Sequence, residues 1–171
     1  METWDAIRAR RNVRTYADRP ITPEDLDRIL EAGRRSPSSM NEQRWDFVAV
    51  TDRGRLQELA NVWSYGRHVA SSAATVAVLA PETDDAETLA SIEYDLGQAT
   101  MSMMIAAADL GIGSGHSAVA DQRLAREILG HQEGLRCAVL IAFGYPAGRP
   151  LAPIREPKRR AFDDVVHRER W

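Results

Sequence analysis

The sequence has few of the residues that carry covalent or metal chemistry. It contains a single cysteine, Cys137, so it can form neither an intrachain disulfide framework nor a multi-cysteine zinc site. Its four histidines show no metal-ligand spacing, and neither a G-x-S-x-G elbow nor a P-loop is present. The usual evidence for a disulfide-rich protein, a metalloenzyme, a hydrolase or an NTPase is therefore missing.

Long apolar runs and lysines are also scarce. No stretch approaches the roughly 18 apolar residues of a membrane span, and no signal peptide opens the chain. Lys158 is the only lysine, and 22 basic against 25 acidic residues give a net charge of −3, which argues against a general nucleic-acid binder. We expect a cytoplasmic protein with no nucleic acid and no membrane partner. A length of 171 residues fits a single domain spanning 1–171.

The basic residues that are present concentrate at the two ends of the chain. Five arginines lie within 8–19 and seven basic residues within 149–170, whereas 82–95 contains none. Two remote basic clusters can converge in a fold to hold one anion, or they can lie on separate solvated faces. Composition alone favours the solvated interpretation.

Hydrophobic spacing predicts helices alternating with buried strands. One helix is expected to begin with Thr22 as cap and Pro23 at its first position, and to stop before Pro37. The other predicted helices cover 4–11, 55–62, 88–110, 124–129 and 162–167, and the predicted strands cover 47–51, 74–80 and 137–143.

The longest predicted helix, 88–110, is apolar on more than one face. Its main stripe includes Leu96 and Met103, and beyond Gly97 the opposite face carries Met101 and Met104 as well. A helix that is apolar all round must be covered all round. The segment is therefore either a central core helix in a monomer or a helix buried against a second subunit, and the two-sided pattern favours the second.

Two polar segments stand out as candidate binding sites. Arg10–Arg14 follows the first helix, where arginines complement the helix dipole, although their guanidinium forks also match phosphate oxygens. Ser36–Trp45 has the composition of an ordinary turn. Within it Asn41 and Gln43 each offer a donor and an acceptor, which suits recognition of the edge of a heterocyclic ring.

Five motifs in order resemble the FMN-dependent nitroreductase family over nearly the whole chain. Arg10–Arg14 matches the family's R-R-S-x-R, and Ser36–Trp45 matches A-P-S-x-x-N-x-Q-P-W. Residues 107–113 fall within a segment that matches A-A-x-x-L-G-x-G, 144–146 match G-x-P, and 158–160 match K-x-R. Asn12 replaces the usual serine and Arg44 the usual proline, and neither change removes a needed donor. The chain is short for the family, which suggests a reduced lid over the substrate face.

The resemblance implies an α+β fold, in which a mixed, mainly antiparallel sheet is flanked by helices. A long central helix would lie at the interface of an intertwined homodimer, with FMN bound between the subunits. The resemblance assigns no catalytic side chain and no metal. The cofactor-binding residues that it implies are Arg10, Arg11, Asn12, Arg14, Pro37, Ser38, Ser39, Asn41, Gln43, Gly115, His116, Ser117, Ala118, Lys158 and Arg160.

The resemblance also implies a role for each group. Arg10, Asn12, Lys158 and Arg160 would hold the phosphate, and Arg14 would lie near the pyrimidine end of the ring, where it favours the reduced form. The residues from 37 to 43 would come from the partner subunit. Residues 115–118 would line the other side of the ring, with a backbone N–H near the reactive flavin nitrogen.

The implied activity is ping-pong reduction, in which NAD(P)H delivers hydride to the flavin and an electron-poor acceptor, such as a nitroaromatic or a quinone, then removes it. The cofactor carries the hard step, so no side-chain acid or base is required. Other readings of the sequence stay open. They are a flavin-binding protein for storage or sensing, a module for another phosphate ligand or nucleic acid, and another reduction on the same fold, such as dehalogenation or a deazaflavin-dependent reaction.

Overall fold

The computed structural model describes residues 1–171 as six α-helices around a four-stranded sheet. The helices are α1 (Thr3–Ala9), α2 (Pro23–Arg34), α3 (Arg53–Leu59), α4 (Arg67–Ala70), α5 (Ala86–Asp109) and α6 (Gln122–Leu129). The strands are β1 (Asp46–Val50), β2 (Ala74–Pro81), β3 (Gly113–Ser117) and β4 (Leu135–Gly144). Short 3₁₀ turns occupy Ser39–Asn41, Ala60–Val62 and Phe162–Asp164.

The sheet has the strand order β1-β2-β4-β3, and every neighbouring pair is antiparallel. A β-bulge shifts the β2–β4 register between Val78 and Leu79. One isolated parallel bridge joins Asn12 to Ser114, so the segment after α1 runs beside β3. The predicted α+β class with a mainly antiparallel sheet is confirmed.

Helices cover both faces of the sheet. On β2, Val76 and Val78 pack in one core with residues of α2 and α5, whereas Ala77 and Leu79 pack in a second core with residues of α3, α4 and α6. This alternation follows from the period of two along a strand. It explains why β2 is buried over nearly its whole length.

Side-chain caps begin four of the helices. The Thr22 hydroxyl accepts from the Asp25 N–H at 3.1 Å, as the sequence predicts for α2. Asp52, Asp85 and Asp121 cap α3, α5 and α6 in the same way. The cap at Asp85 explains why α5 begins at Ala86, two residues earlier than predicted.

Several predicted boundaries were wrong. The first helix ends at Ala9 rather than residue 11, because the chain becomes extended to pair with Ser114. The last helical piece is a single 3₁₀ turn, Phe162–Asp164. Neither the four-residue helix α4 nor the strand β3 was predicted. The sequence of β3, GSGHS, lacks the apolar alternation that identifies a strand, and its pairing with β4 decides its conformation.

The long helix α5 is covered on only part of its circumference. Met103 and Met104 are fully buried, whereas Tyr94 is 72% exposed and Met101 43% exposed. Gly97, between them, has no atom within 4 Å of the position that a Cβ would occupy. Tyr94, Gly97 and Met101 therefore form an open stripe, which we call the α5 stripe. No helix is both long enough and apolar enough to cross a membrane.

Candidate functional site

The site is built around β3 and the extended segment that follows α1. The Val13 N–H donates to the Ser114 carbonyl at 2.8 Å, and the Tyr16 hydroxyl donates to the Val13 carbonyl at 2.7 Å. Val13 and Tyr16 are buried against β3, so the alternating side chains of Asn12 and Arg14 are exposed. Burial raises the pKa of Tyr16, which stays protonated near neutral pH.

A basic cavity of about 300 Å³ lies between α1, α5 and the C-terminal arm. Its polar lining consists of three arginines, Arg8, Arg10 and Arg159, and includes no carboxylate. The Ile154 N–H donates to the Arg8 carbonyl at 3.1 Å, which holds the arm against α1. The two basic ends of the chain therefore converge, and the solvated interpretation favoured by composition is wrong for these residues.

A second cavity, of about 390 Å³, lies between α5 and the strands β3 and β4. Half of its lining residues are hydrophobic, among them Leu96, Met104 and Val139. His116 is the residue that β3 contributes to this lining. Met101 lines both this β3 cavity and the basic cavity. The two cavities are therefore adjacent along α5, and we call them together the α5 groove.

Burial, together with positive charge in this region, keeps the nearby histidines neutral. Burial lowers the pKa of His116, and the charges of Arg10 and Arg14 lower it further, with a contribution from His68. Burial also lowers the pKa of His68, as does the charge of Arg14. An ordinary histidine pKa is about 6.5, so both imidazoles are mainly uncharged at neutral pH.

The Ser36–Trp45 loop lies on another side of α5. The Ser36 hydroxyl donates to the Ser102 hydroxyl at 2.8 Å, and the Ser39 N–H donates to the Asp95 carboxylate at 3.0 Å. Asn41 and Gln43 have φ of 56° and 52°, a left-handed conformation uncommon outside glycine. Such backbone strain is typical of segments that the surrounding structure holds in place.

The loop and the α5 groove border different cavities of the chain. Gln43 lines a third cavity, of about 840 Å³, between α2 and β1, together with Trp45 and Phe47. This α2–β1 cavity shares no lining residue with either part of the α5 groove. Gln43 is therefore not part of the lining of the groove in its own chain.

The other predicted binding residues differ in how exposed they are to solvent. Pro37, Lys158 and Ala118 are exposed, whereas Gly115 and Ser117 are buried in β3. The Arg11 guanidinium donates to the Arg149 carbonyl at 2.7 Å. Burial, together with the charge of Arg149, lowers the pKa of Arg11.

The residues of the C-terminal basic motif differ in what they contact. Arg160 donates to the Asp164 carbonyl at 2.7 Å and so joins the last turn, whereas its neighbour Arg159 lines the basic cavity. Arg8, on α1, also lines that cavity and was not predicted as a binding residue. In the sequence, Arg8 and Arg159 are distinguished only as members of the two basic clusters. A linear motif does not show which side chains of a cluster line a cavity.

The comparison with known families decides the assignment. The model of the nitroreductase family matches residues 7–145, a range that begins in the last turn of α1 and contains the whole sheet and α5. The chain belongs to the nitroreductase family. Since the match spans most of the chain, the resemblance inferred from the five motifs is confirmed.

Individual relatives agree with this assignment. A protein of Archaeoglobus fulgidus, named "Putative NADH dehydrogenase/NAD(P)H nitroreductase", is 32% identical over 179 aligned positions, which cover 99% of each chain. An FMN-dependent nitroreductase of Clostridium difficile superposes with a TM-score of 0.83 over 97% of this chain and 98% of its own, at 22% identity. The NADPH:FMN oxidoreductase of Vibrio harveyi gives a TM-score of 0.83 over 97% of this chain and 76% of its own, at 24% identity. The two structures show a shared fold.

Proposed function

We propose that the protein is an FMN-dependent oxidoreductase, which takes hydride from NAD(P)H and passes it to an electron-poor acceptor such as a nitroaromatic or a quinone. The observation that carries the proposal is the α5 groove, with three guanidinium groups at one end and a half-apolar wall beside β3 at the other. FMN has two matching ends, a charged phosphate and a flat, largely apolar ring.

The residues present suit the phosphate of FMN. A phosphate carries nearly two negative charges, and charge-assisted hydrogen bonds from arginine offset the cost of taking it from water. Arg8, Arg10 and Arg159 supply such donors in a cavity whose lining contains no carboxylate. Lys158 and Arg160 lie beside Arg159 on the same exposed arm and would add positive charge near the phosphate.

The other end of the groove suits the ring. Leu96, Met104 and Val139 offer apolar contact, and β3 contributes His116 to the same wall. Arg14, exposed beside β3, would favour the added negative charge of a reduced ring. When bound, FMN supplies the hydride chemistry, whereas these residues bind and orient it and bias its electron affinity.

The proposal includes a homodimer in which each site draws on both chains. The α5 stripe leaves apolar surface uncovered, and Gly97 would let a second helix approach closely. Neither Asn41 nor Gln43 lines the basic cavity of its own chain, and in the proposed dimer the loop of the partner completes the site. A cytoplasmic location, where NAD(P)H is supplied, completes the proposal.

Spectroscopy and turnover test the proposal together. We expect the purified protein to bind FMN and NADH or NADPH to bleach the flavin absorbance under anaerobic conditions. Addition of a nitroaromatic or a quinone should restore the absorbance, and initial rates should give the parallel double-reciprocal lines of a ping-pong mechanism. Flavin that binds but is not reduced by either nucleotide would favour storage or sensing. A protein that takes up no FMN would contradict the proposal outright.

A further inference from the structure

One carboxylate is buried on α5 without an ion-pair partner. Asp95 is 4% exposed and takes part in none of the ion pairs of the structure. Its Oδ2 accepts the Ser39 N–H at 3.0 Å, whereas its Oδ1 has only a long hydrogen bond of 3.5 Å from the Gln98 amide. Burying a carboxylate is costly unless its hydrogen bonds compensate. The bond to Ser39 is therefore the main contact that explains the carboxylate.

The segment that follows Ser39 is the strained part of the Ser36–Trp45 loop. Met40, Asn41 and Gln43 have φ of 50°, 56° and 52°, a region that residues other than glycine seldom occupy. Hydrogen bonds inside the loop give the turn its shape, for example from the Gln43 N–H to the Ser38 hydroxyl at 3.0 Å. Such internal bonds do not attach the turn to the rest of the chain.

Two hydrogen bonds attach the loop to α5. One joins the hydroxyls of Ser36 and Ser102 at the base of the loop, at 2.8 Å. The other joins Ser39 to Asp95, directly before the strained residues. Because a hydrogen bond to a carboxylate is stronger than one between neutral groups, the second attachment is suited to hold a strained turn. Without it, the loop would keep only the attachment at its base.

Asp95 lies on the turn of α5 that is shared by the α5 stripe and the β3 cavity. Tyr94 and Gly97 belong to the stripe, and Gly97 also lines the cavity, as does Leu96. In a two-fold dimer that packs at Gly97, the same turns of the two helices meet. The loop attached at Asp95 would then lie beside the β3 cavity of the partner.

We propose that Asp95 is a positioning residue, which fixes the Ser36–Trp45 loop where Asn41 and Gln43 reach FMN in the α5 groove of the partner. The inference rests on the proposed function and its shared site. Asp95 acts through the loop and does not touch the flavin. Its loss therefore weakens FMN binding in the site of the partner and leaves the groove of its own chain intact.

The attachment can be measured in the protein without FMN. In D95A the Ser39 N–H has no acceptor, so hydrogen exchange of the Ser39 amide, followed by NMR, should become faster by about tenfold or more. D95N offers an amide oxygen to the same N–H and should stay close to wild type. The matched control is Glu87→Ala, which removes an exposed carboxylate from the first turn of α5. Equal Ser39 exchange in wild type and D95A would overturn the proposal.

FMN titration of the same variants measures the effect on the site. D95A should bind FMN about tenfold or more weakly, whereas D95N and Glu87→Ala should bind it nearly as wild type does. Ser39→Pro removes the donor and leaves α5 unchanged, at the first position of a helical turn, where proline is tolerated. It should weaken binding as D95A does. Wild-type affinity in D95A and Ser39→Pro, or a D95N as weak as D95A, would refute the role of Asp95.

Mixed dimers show in which chain Asp95 acts. A clamp variant carries Arg10→Ala and Arg159→Ala, and a loop variant carries Asn41→Ala and Gln43→Ala. D95A paired with the clamp variant should recover one good FMN site per dimer, as the loop variant does with the same partner. D95A paired with the loop variant should recover none, because both sites then have a defective loop. A merely structural defect would not depend on the partner in this way.

The outcomes separate this inference from the proposed function. If the loop variant recovers FMN binding with the clamp variant but D95A does not, the role of Asp95 is wrong and the shared site stands. Recovery by D95A with the loop variant would also overturn the role of Asp95. A wild-type protein that takes up no FMN would contradict the proposed function, and this inference with it.

Discussion

A Cβ atom on Gly115 would lie 2.6 Å from the carbonyl oxygen of Val13, so only glycine lets the segment after α1 close against β3. The obstacle would be backbone, and the same oxygen already accepts the hydroxyl of Tyr16 at 2.7 Å. Gly113 is equally crowded, since a Cβ there would lie 2.6 Å from Cγ2 of Val13. The two glycines of β3 thus fix the segment that carries Asn12 and Arg14.

The Gly115→Ala substitution should push the segment after α1 away from β3. We expect the free energy of unfolding to fall by about 1–3 kcal/mol, because overpacking against a fixed neighbour forces the backbone to move. FMN affinity should fall with it, since Arg14 loses its position. Chemical denaturation and FMN titration measure the two effects. Gly148→Ala, at an exposed position with no atom within 4 Å, is the control, and a Gly115→Ala protein as stable as that control would contradict the argument.

The sequence is informative wherever a local signal decides the structure. Thr22 and Pro23 predict the start of α2, and the apolar spacing predicts α5 to within two residues at its N-terminus. The strand β3 carries no such signal, because its glycines are there to admit Val13 rather than to fill a core. In the same way, motif matching identifies Arg10 as a candidate, whereas Arg8 and Arg159 become visible only when the chain ends meet around α5.

The basic cavity predicts unequal contributions from neighbouring arginines. Arg10→Ala and Arg159→Ala should each weaken FMN binding by about 1.5–3 kcal/mol, the size of a hydrogen bond to a charged group. Arg160→Ala should have a smaller effect, because Arg160 does not line the basic cavity. Arg123→Ala on α6 serves as the control in the same FMN titrations. Unchanged FMN affinity in all three test variants would show that the phosphate does not bind in this cavity.

The stability of the protein without flavin should fall as the pH drops below about 6.5, the value for an unfolded histidine. The pKa values of His68 and His116 are lower in the folded protein, so the unfolded chain binds more protons in this range. The loss should continue until the folded-state pKa values are passed. Carboxylates such as Glu31, whose pKa is lowered to about 2, act only at lower pH.

Urea denaturation at pH 7.5 and pH 5 measures the difference. His68→Gln should reduce the loss between these two values, whereas Arg123→Gln, on α6, should leave it as in wild type. A stability that is flat from pH 7.5 to 5 in wild type would show that the two histidines titrate normally in the folded protein.

The α5 stripe predicts a dimer that a single charge can disrupt. Gly97→Glu places a carboxylate where we expect a second helix to pack, and an unpaired charge in an interface is strongly unfavourable. Because Gly97 also lines the β3 cavity, the test is made on the protein without FMN. Glutamate is a better helix former than glycine, so the monomer itself should fold. Light scattering after size exclusion should show a wild-type dimer, a Gly97→Glu monomer and a dimer for the control Gly148→Glu. A wild-type monomer at all concentrations would refute the proposed interface.

The last prediction concerns the sharing of each site between two chains. One chain carries Arg10→Ala and Arg159→Ala, the other carries Asn41→Ala and Gln43→Ala, and each alone should bind FMN poorly. If the phosphate clamp and the ring loop of one site come from different chains, a heterodimer has one site with both defects and one site with none. Co-expressed chains with different affinity tags, purified over both, should then bind up to one FMN per dimer with near wild-type affinity. Verified heterodimers that bind no better than either parent would place the clamp and the loop of each site in the same chain, because each site would then keep one defect.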